Sequence, residues 1–238
     1  MINLNDESPA QYWARHFSGL HADPMLDQGG KVGFSNDRVL FQYYCLALEG
    51  AGPFANAHCL DAGCGLGNLA RLLASLGARV SACDVVQPTI AQLTQIYPQI
   101  NWFVADIENM PELGTKDPYD LVFACEVLQH VNFAKAIFSL WRQVASGGRL
   151  IGIVPYADCP HVQRVQTRFP GRYMGVSLAE IGNVGAQLTG LGKWFWRGAH
   201  FHVDQTIAPY GLTPWSSAHE RVDENIPNRI QFVFIRQV

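Results

Sequence analysis

From Cys59 to Asn68 the chain reads Cys-Leu-Asp-Ala-Gly-Cys-Gly-Leu-Gly-Asn, an apolar run that breaks into glycines at alternate positions. Glycines at a strand-to-helix turn let backbone amides approach a ligand, and the amino terminus of the following helix favours negative charge. The turn formed by Gly63, Gly65 and Gly67, with Asp61 just ahead of it, therefore suits a small anionic group. A dinucleotide fingerprint needs Gly-x-Gly-x-x-Gly, but Asn68 stands where its third glycine would fall. A glycine turn alone can also be a plain tight connection, so the residues that follow decide its meaning. Asp84 comes directly after Val80-Ser81-Ala82-Cys83, a strand-end position where a carboxylate can accept hydrogen bonds from two ribose hydroxyls. Asp106 and Ile107 come after Phe103-Val104-Ala105, where a carboxylate can accept from an exocyclic adenine amine while apolar neighbours flank the ring. Helix capping is the plainer role for both acids.

The elements that must position these residues alternate. Strands are expected near His58 to Ala62, Ala78 to Cys83, Trp102 to Ala105, Tyr119 to Cys125 and Arg149 to Val154. Helices are expected at Leu66 to Leu76, Thr89 to Tyr97 and Asn132 to Ala145, with Pro88 opening the second and Gly77 closing the first. Strand and helix by turns imply a parallel sheet with right-handed crossovers, and hence a doubly wound α/β fold. Ahead of this core, Ser8-Pro9 opens a short helix carrying Tyr12 and Trp13, and Ser35 to Asp37 can cap a second one. After it, Tyr156 to Phe201 is glycine-rich, aromatic and nearly unpatterned, readable as a substrate-side cover or as a helical pair packed beside the sheet. Ile230 to Val238 returns to a clear strand. The expected organisation is a helical cover over residues 1–53, a ligand-binding core over 54–155, a cover insertion over 156–205, and a final helix and strands over 206–238.

Composition narrows the classes. With 238 residues, 48% hydrophobic and 16% charged, the chain can bury a full α/β core as one unit. A net charge of -3 provides no basic excess for a phosphate backbone, which argues against a long nucleic acid as partner. The six cysteines form no CxxC pair and no Cys/His cluster at zinc spacing, so they read as reduced core residues and no metal site is expected. The first nine residues are polar and acidic, unlike a signal peptide, and no run of eighteen apolar residues exists to span a membrane. A cytoplasmic location is the expectation.

Taken in order, LDAGCGLGNLARLL, VSACDVV, FVADIENMP, YDLVFACEVLQHV and GGRLIGIVP resemble the successive motifs of the class I S-adenosylmethionine-dependent methyltransferases. The resemblance covers Ala57 to Val154, and the stretch Glu126 to Val131 is similar to the small-molecule branch with quinone and natural-product acceptors. It implies a Rossmann-like seven-stranded sheet, mostly parallel with one antiparallel strand near the chain's end. It also implies S-adenosylmethionine as cofactor, with Gly63, Gly65 and Gly67 around the methionyl part and Asp61 placing the turn. Asp84 with Val85 would lie at the ribose, Asp106 with Ile107 at the adenine, and Cys125 among the cofactor contacts at the fourth strand's end.

Methyl transfer from a sulfonium needs chiefly proximity and alignment, plus a base if the acceptor is a hydroxyl. Imidazole titrates near neutral pH, which makes His130 the first candidate base, with His200 and His202 behind it. His130 could equally order the loop before Asn132. Tyr156, Trp194 and Trp196 are expected to contact the acceptor, although the tryptophans could instead anchor the cover. The acceptor itself is expected to be a small molecule, since the chain lacks the Asn-Pro-Pro-Tyr or Asp-Pro-Pro-Tyr signature of nucleobase or amide methylation. Two other classes stay open: a nicotinamide-dependent oxidoreductase, and a module that binds S-adenosylmethionine without turnover.

Overall fold

A computed structural model describes residues 11–14, 44–111, 117–168, 173–188, 192–200, 211–212 and 226–238. Among these residues eight strands make one sheet: β1 (His58–Ala62), β2 (Arg79–Asp84), β3 (Asn101–Val104), β4 (Tyr119–Cys125), β5 (Val144–Pro155), β6 (Gly192–His200), β7 (Gly211–Leu212) and β8 (Arg229–Arg236). Their order is β3-β2-β1-β4-β5-β8-β6-β7. The first five run parallel to one another, whereas β8 lies between β5 and β6 and is antiparallel to both. Seven strands are thus of ordinary length, with β8 alone among them reversed, and the two-residue β7 is appended antiparallel at the outer edge.

Both faces are covered, as buried parallel strands require. One face is packed by helices α1 (Asn68–Ser75) and α2 (Gln87–Ile96), through Leu69, Leu73, Ile90 and Leu93, together with Leu46 and Ala47 from helical residues 44–48. The other is packed by α3 (Phe133–Trp141) and, beyond α4 (Pro160–Arg168), by α5 (Leu178–Leu188). Period-two alternation along β4 serves both: Val122 and Ala124 face the α3 side, Leu121 and Phe123 the α1 side. Proline in the first turn opens α2, and Asn132 caps α3 by accepting from the Lys135 amide at 3.0 Å.

Three sequence expectations need correction. The α3 helix ends at Trp141 and β5 starts at Val144, five residues ahead of the expected Arg149. Gly147 and Gly148 lie inside β5, at an irregularity where the pairing jumps from Tyr119↔Val144 to Leu121↔Arg149. Gly192–His200 is a sheet strand and not cover, because β8 offers it a continuous antiparallel partner from Arg236 to Arg229. The rest of the unpatterned stretch contains the helical pair α4 and α5. Residues 11–14 are helical where Tyr12 and Trp13 were expected on a helix. The expected helix start at Ser35 and the final helix lie outside the described residues.

Candidate functional site

Parallel pairing brings the carboxyl ends of β1 to β5 to one edge, and the antiparallel β8 begins at that edge with Arg229 opposite Pro155. The glycine turn sits there between β1 and α1. Gly63, Gly65 and Gly67 all have positive φ, at 73°, 51° and 73°. A side chain at Gly63 would put its Cβ 2.3 Å from Val127 Cγ2, and one at Gly67 would lie 2.5 Å from the Trp102 ring. Those two glycines are therefore required by neighbouring protein atoms as well as by any ligand. The Gly63 and Cys64 amides both donate to the Cys83 carbonyl, at 2.8 and 2.9 Å, which locks the turn against the end of β2.

Two carboxylates hold this turn from beneath. Gly67 precedes α1 without a side chain to cap it, and the Asp61 carboxylate does so from β1 by accepting from the Ala70 amide at 3.0 Å. Burial pushes Asp61 up to about 7, against the opposing pull of the Ala70 amide, and the Asp84 charge adds to the rise. Asp84 accepts from the Gly65 amide through one oxygen and from the Val86 amide through the other, both at 3.0 Å. Burial raises Asp84 too, while the amides of Gly65, Val86 and Val85 act to lower it. Each Asp84 oxygen keeps a second lone pair for a hydroxyl donor. The end of β3 is tied alongside, since the Ala105 amide donates to the Asp84 carbonyl at 3.1 Å.

Asp106 is exposed and caps the short 3-10 turn Ile107–Asn109, accepting from the Glu108 amide at 2.9 Å and the Asn109 side chain at 2.6 Å. Its neighbour Ile107 is buried. Capping and ligand recognition are compatible here, because the carboxylate stays open to solvent. Glu108 then links this turn to the next one, accepting from the Asn132 amide at 2.8 Å and pairing with Lys135 at 3.4 Å.

Beyond the half-buried Cys125 at the end of β4, Glu126 takes φ 55° and the chain enters the 3-10 turn Leu128–His130. A non-glycine residue in the left-handed region at such an edge is costly and held by its surroundings. The holding group is Arg229, whose Nε and Nη2 contact the two Glu126 carboxylate oxygens at 2.5 and 3.0 Å. The Gln129 side-chain amide also donates to the Glu126 carbonyl at 3.0 Å. His130 lies between two aromatic rings, with Trp13 at 4.8 Å and Tyr173 at 6.0 Å between centroids, both edge to face. The Met174 amide donates to the Gln129 carbonyl at 2.9 Å and so pins the Tyr173 segment to the His130 turn.

Of the remaining candidates, His200 ends β6 one position past Ala199, which pairs with Arg229, so it stands at the same edge of the sheet. His202 lies outside the described residues. Tyr156 is buried and donates to Asp158 at 2.9 Å. Trp196 is 1% exposed within the core beside Phe232, and the half-buried Trp194 packs against the same cluster, so both rings help anchor β6 to the α5 layer. Glu126, Gln129, Tyr173 and Arg229 were not among the sequence candidates. Glu126 and Gln129 lie within the Glu126 to Val131 stretch that carries the resemblance, but nothing in the sequence pairs Arg229 with Glu126.

Around this edge the chain has the class I methyltransferase fold. Residues 60–152 match the family described as a methyltransferase domain, and that span runs from β1 through β5. Malonyl-[acyl-carrier protein] O-methyltransferase of Pseudescherichia vulneris is 34% identical over 43% of this chain and 41% of its own length. Ubiquinone biosynthesis O-methyltransferase of Rickettsia conorii is 35% identical over 39% of this chain and 32% of its own. The chain thus matches less than half the length of these curated relatives. The N-methyltransferase NodS from Bradyrhizobium japonicum, solved with S-adenosyl-L-homocysteine, superposes with a TM-score of 0.59 at 20% identity, covering 95% of this chain and 97% of that one. Among the described residues no helix is long and apolar enough to cross a membrane, and no His, Cys, Asp or Glu cluster is placed to hold a metal. All six cysteines are free.

Proposed function

We propose that this protein transfers the methyl group of S-adenosylmethionine to the hydroxyl oxygen of a small molecule, in the cytoplasm. The observation that carries the reading is the joint between the glycine turn and Asp84: a buried carboxylate at the carboxyl end of β2, bonded to the Gly65 amide of the turn that follows β1. That joint fits the cofactor. Gly63 to Gly67 would hold the methionyl part, Asp84 and Val85 the ribose, Asp106 and Ile107 the adenine ring, and Cys125 the side nearest β4. When bound, S-adenosylmethionine supplies a methyl carbon already activated by the sulfonium charge.

The chain's own residues then have to hold the acceptor in line and relieve its hydroxyl of a proton. His130 stands at the carboxyl edge beside Trp13 and Tyr173, and in this reading its imidazole takes that proton. A positioned base of this kind contributes roughly a hundred- to ten-thousand-fold. His200, at the same edge, is the second candidate. O-methyl transfer in two relatives' names supports an oxygen acceptor, and the absence of a basic surplus supports a small one.

Calorimetric titration with S-adenosylhomocysteine tests the cofactor half. Binding should be clear in the wild type and at least tenfold weaker in Asp84→Ala, since each lost charge-assisted bond is worth about 1.5 to 3 kcal/mol. Asp84→Ala should also melt lower, because the Gly65 and Val86 amides lose their acceptor. Unchanged affinity in the folded variant removes Asp84 from the site. His130→Gln should keep that affinity and lose kcat with a hydroxyl acceptor, and parent-level turnover would shift the reading to an amine or thiol.

A further inference from the structure

The turn that follows β4 touches both halves of the candidate site. On one side Val127 closes onto the glycine turn: a Cβ at Gly63 would lie 2.3 Å from Val127 Cγ2 and 2.7 Å from Val127 Cβ, so that side chain rests against the Gly63 backbone. On the other, the His130 amide donates to the Val127 carbonyl at 3.0 Å and winds the chain into the turn that carries the imidazole. Both contacts follow from the backbone of Glu126, which donates its amide to the Ile153 carbonyl at 2.9 Å and then takes φ 55°. A residue with a side chain holds that conformation only where its surroundings impose it. Here the Glu126 carboxylate meets Arg229 Nε at 2.5 Å and Nη2 at 3.0 Å, with 16% of the Arg229 side chain and 18% of the Glu126 side chain exposed. The remaining nitrogen, Nη1, donates to the Asn228 carbonyl at 2.9 Å, and the same carbonyl accepts from the Tyr156 amide at 3.2 Å. The guanidinium is thereby fixed to the joined ends of β5 and β8.

Resting on the proposed seat of the cofactor's methionyl part at Gly63 to Gly67, we propose that Arg229 is a positioning residue for that part. By clamping Glu126 in the left-handed conformation it holds Val127 against the glycine turn, and it acts through these residues without touching the ligand. The path is continuous: β8 to Glu126 through the ion pair, Glu126 to Val127 through the backbone, and Val127 to Gly63 by packing. Two-point pairing suits this task, because a guanidinium fork fixes the orientation of a carboxylate where a single ammonium fixes little more than its distance. With the clamp removed, the Glu126 backbone relaxes towards negative φ and Val127, the next residue, turns with it. The carboxylates assigned to the ribose and the adenine are held by other amides, Asp84 by those of Gly65 and Val86 and Asp106 by that of Glu108. The clamp therefore serves the methionyl end in particular. Glycine adopts positive φ without help, so a glycine at position 126 makes the clamp dispensable.

The test titrates the full chain with S-adenosylhomocysteine and with methylthioadenosine, which keeps the adenosine and the sulfur but lacks the amino-acid end. Arg229→Met should bind S-adenosylhomocysteine about fivefold or more weakly, and methylthioadenosine within about twofold of the wild type. Glu126→Gly combined with Arg229→Met removes both charges and supplies the left-handed residue, so S-adenosylhomocysteine affinity should return to within about twofold of the wild type. Equal losses of both ligands in Arg229→Met overturn the proposal, since they mark general damage to the fold, and so does unchanged affinity for both. A double variant as weak as Arg229→Met overturns it as well, because the guanidinium then acts on the ligand directly. If Arg229→Met does not fold, Arg229→Lys, which keeps the charge and loses the two-point contact, takes its place in the same comparisons. If methylthioadenosine binds the wild type too weakly to measure, rescue by the double variant decides alone. Failure of the wild type to bind S-adenosylhomocysteine is a different result, which removes the methyltransferase reading and this inference with it.

Discussion

Asp61 is the residue whose chemistry is most at odds with its surroundings, because it caps α1 from a fully enclosed position under the glycine turn. Its carboxyl titrates near 7 in the folded chain, above its ordinary value, so the folded state holds that proton where the unfolded state has released it. The contribution is therefore complete below about pH 4 and is lost as pH rises towards 7, at up to about 1.4 kcal/mol per pH unit. Asp61→Asn keeps an oxygen for the Ala70 amide and has no proton to lose. Urea denaturation between pH 4 and 7 should show the wild type falling relative to Asp61→Asn, and parallel curves would remove Asp61 as the source. Asp61, Asp84 and Asp106 were legible because strand ends and glycine turns are local patterns. Tyr173 and Arg229 were not: Arg229 acquires its meaning from Glu126, 103 positions away, and a lone arginine before an apolar strand looks like any surface cation.

At the scale of elements, the β1 to β4 frame followed the alternation of apolar runs and glycine or proline stops, and the misreadings cluster where a strand's partner is distant. Lys193 to Arg197 has the aromatic content of a strand, but its register comes wholly from β8, so composition alone suggested a cover. Gly152 shows the same dependence. Phe232 sits directly opposite it on β8, and a Cβ there would lie 2.0 Å from the ring's Cζ. Phe232 has nowhere to retreat, being fully buried with Phe133 and Phe234 around it at 5.8 and 5.0 Å. Alanine in place of a strand glycine ordinarily stabilises, by roughly 0.5 to 1 kcal/mol. Here overpacking wins, and Gly152→Ala should cost about 1 to 3 kcal/mol in urea denaturation, leaving the slope unchanged. A neutral or stabilising result would mean that the ring can turn aside.

At the scale of the molecule, the last strand closes three structures at once. Residues 229–236 fill the place between β5 and β6, and Ile230, Phe232 and Phe234 are each at most 1% exposed there. Gln231, fully buried, donates to the Leu46 and Glu49 carbonyls and accepts from Arg197 Nε at 2.8 Å, while Arg197 pairs with Glu49. That network ties the end of the early helix to the sheet. Arg229 ties β8 to Glu126 across the end of β5, at the candidate acceptor edge. Without β8, then, β5 becomes an open edge of apolar residues, β6 loses the partner that gives it register, and the buried Leu46 carbonyl loses its donor. Each unsatisfied buried group costs about 1 to 3 kcal/mol, and a domain of this kind has about 5 to 15 kcal/mol in total. Deleting residues 226–238 should accordingly abolish the native state, even though the glycine turn, Asp84 and Asp106 all remain in the chain. The expected product is aggregated or lacks near-ultraviolet circular dichroism, and it does not bind S-adenosylhomocysteine. A soluble, monomeric truncated chain with native-like dichroism and intact binding would show instead that β1 to β5 fold as an independent unit, with β8 an addition to it.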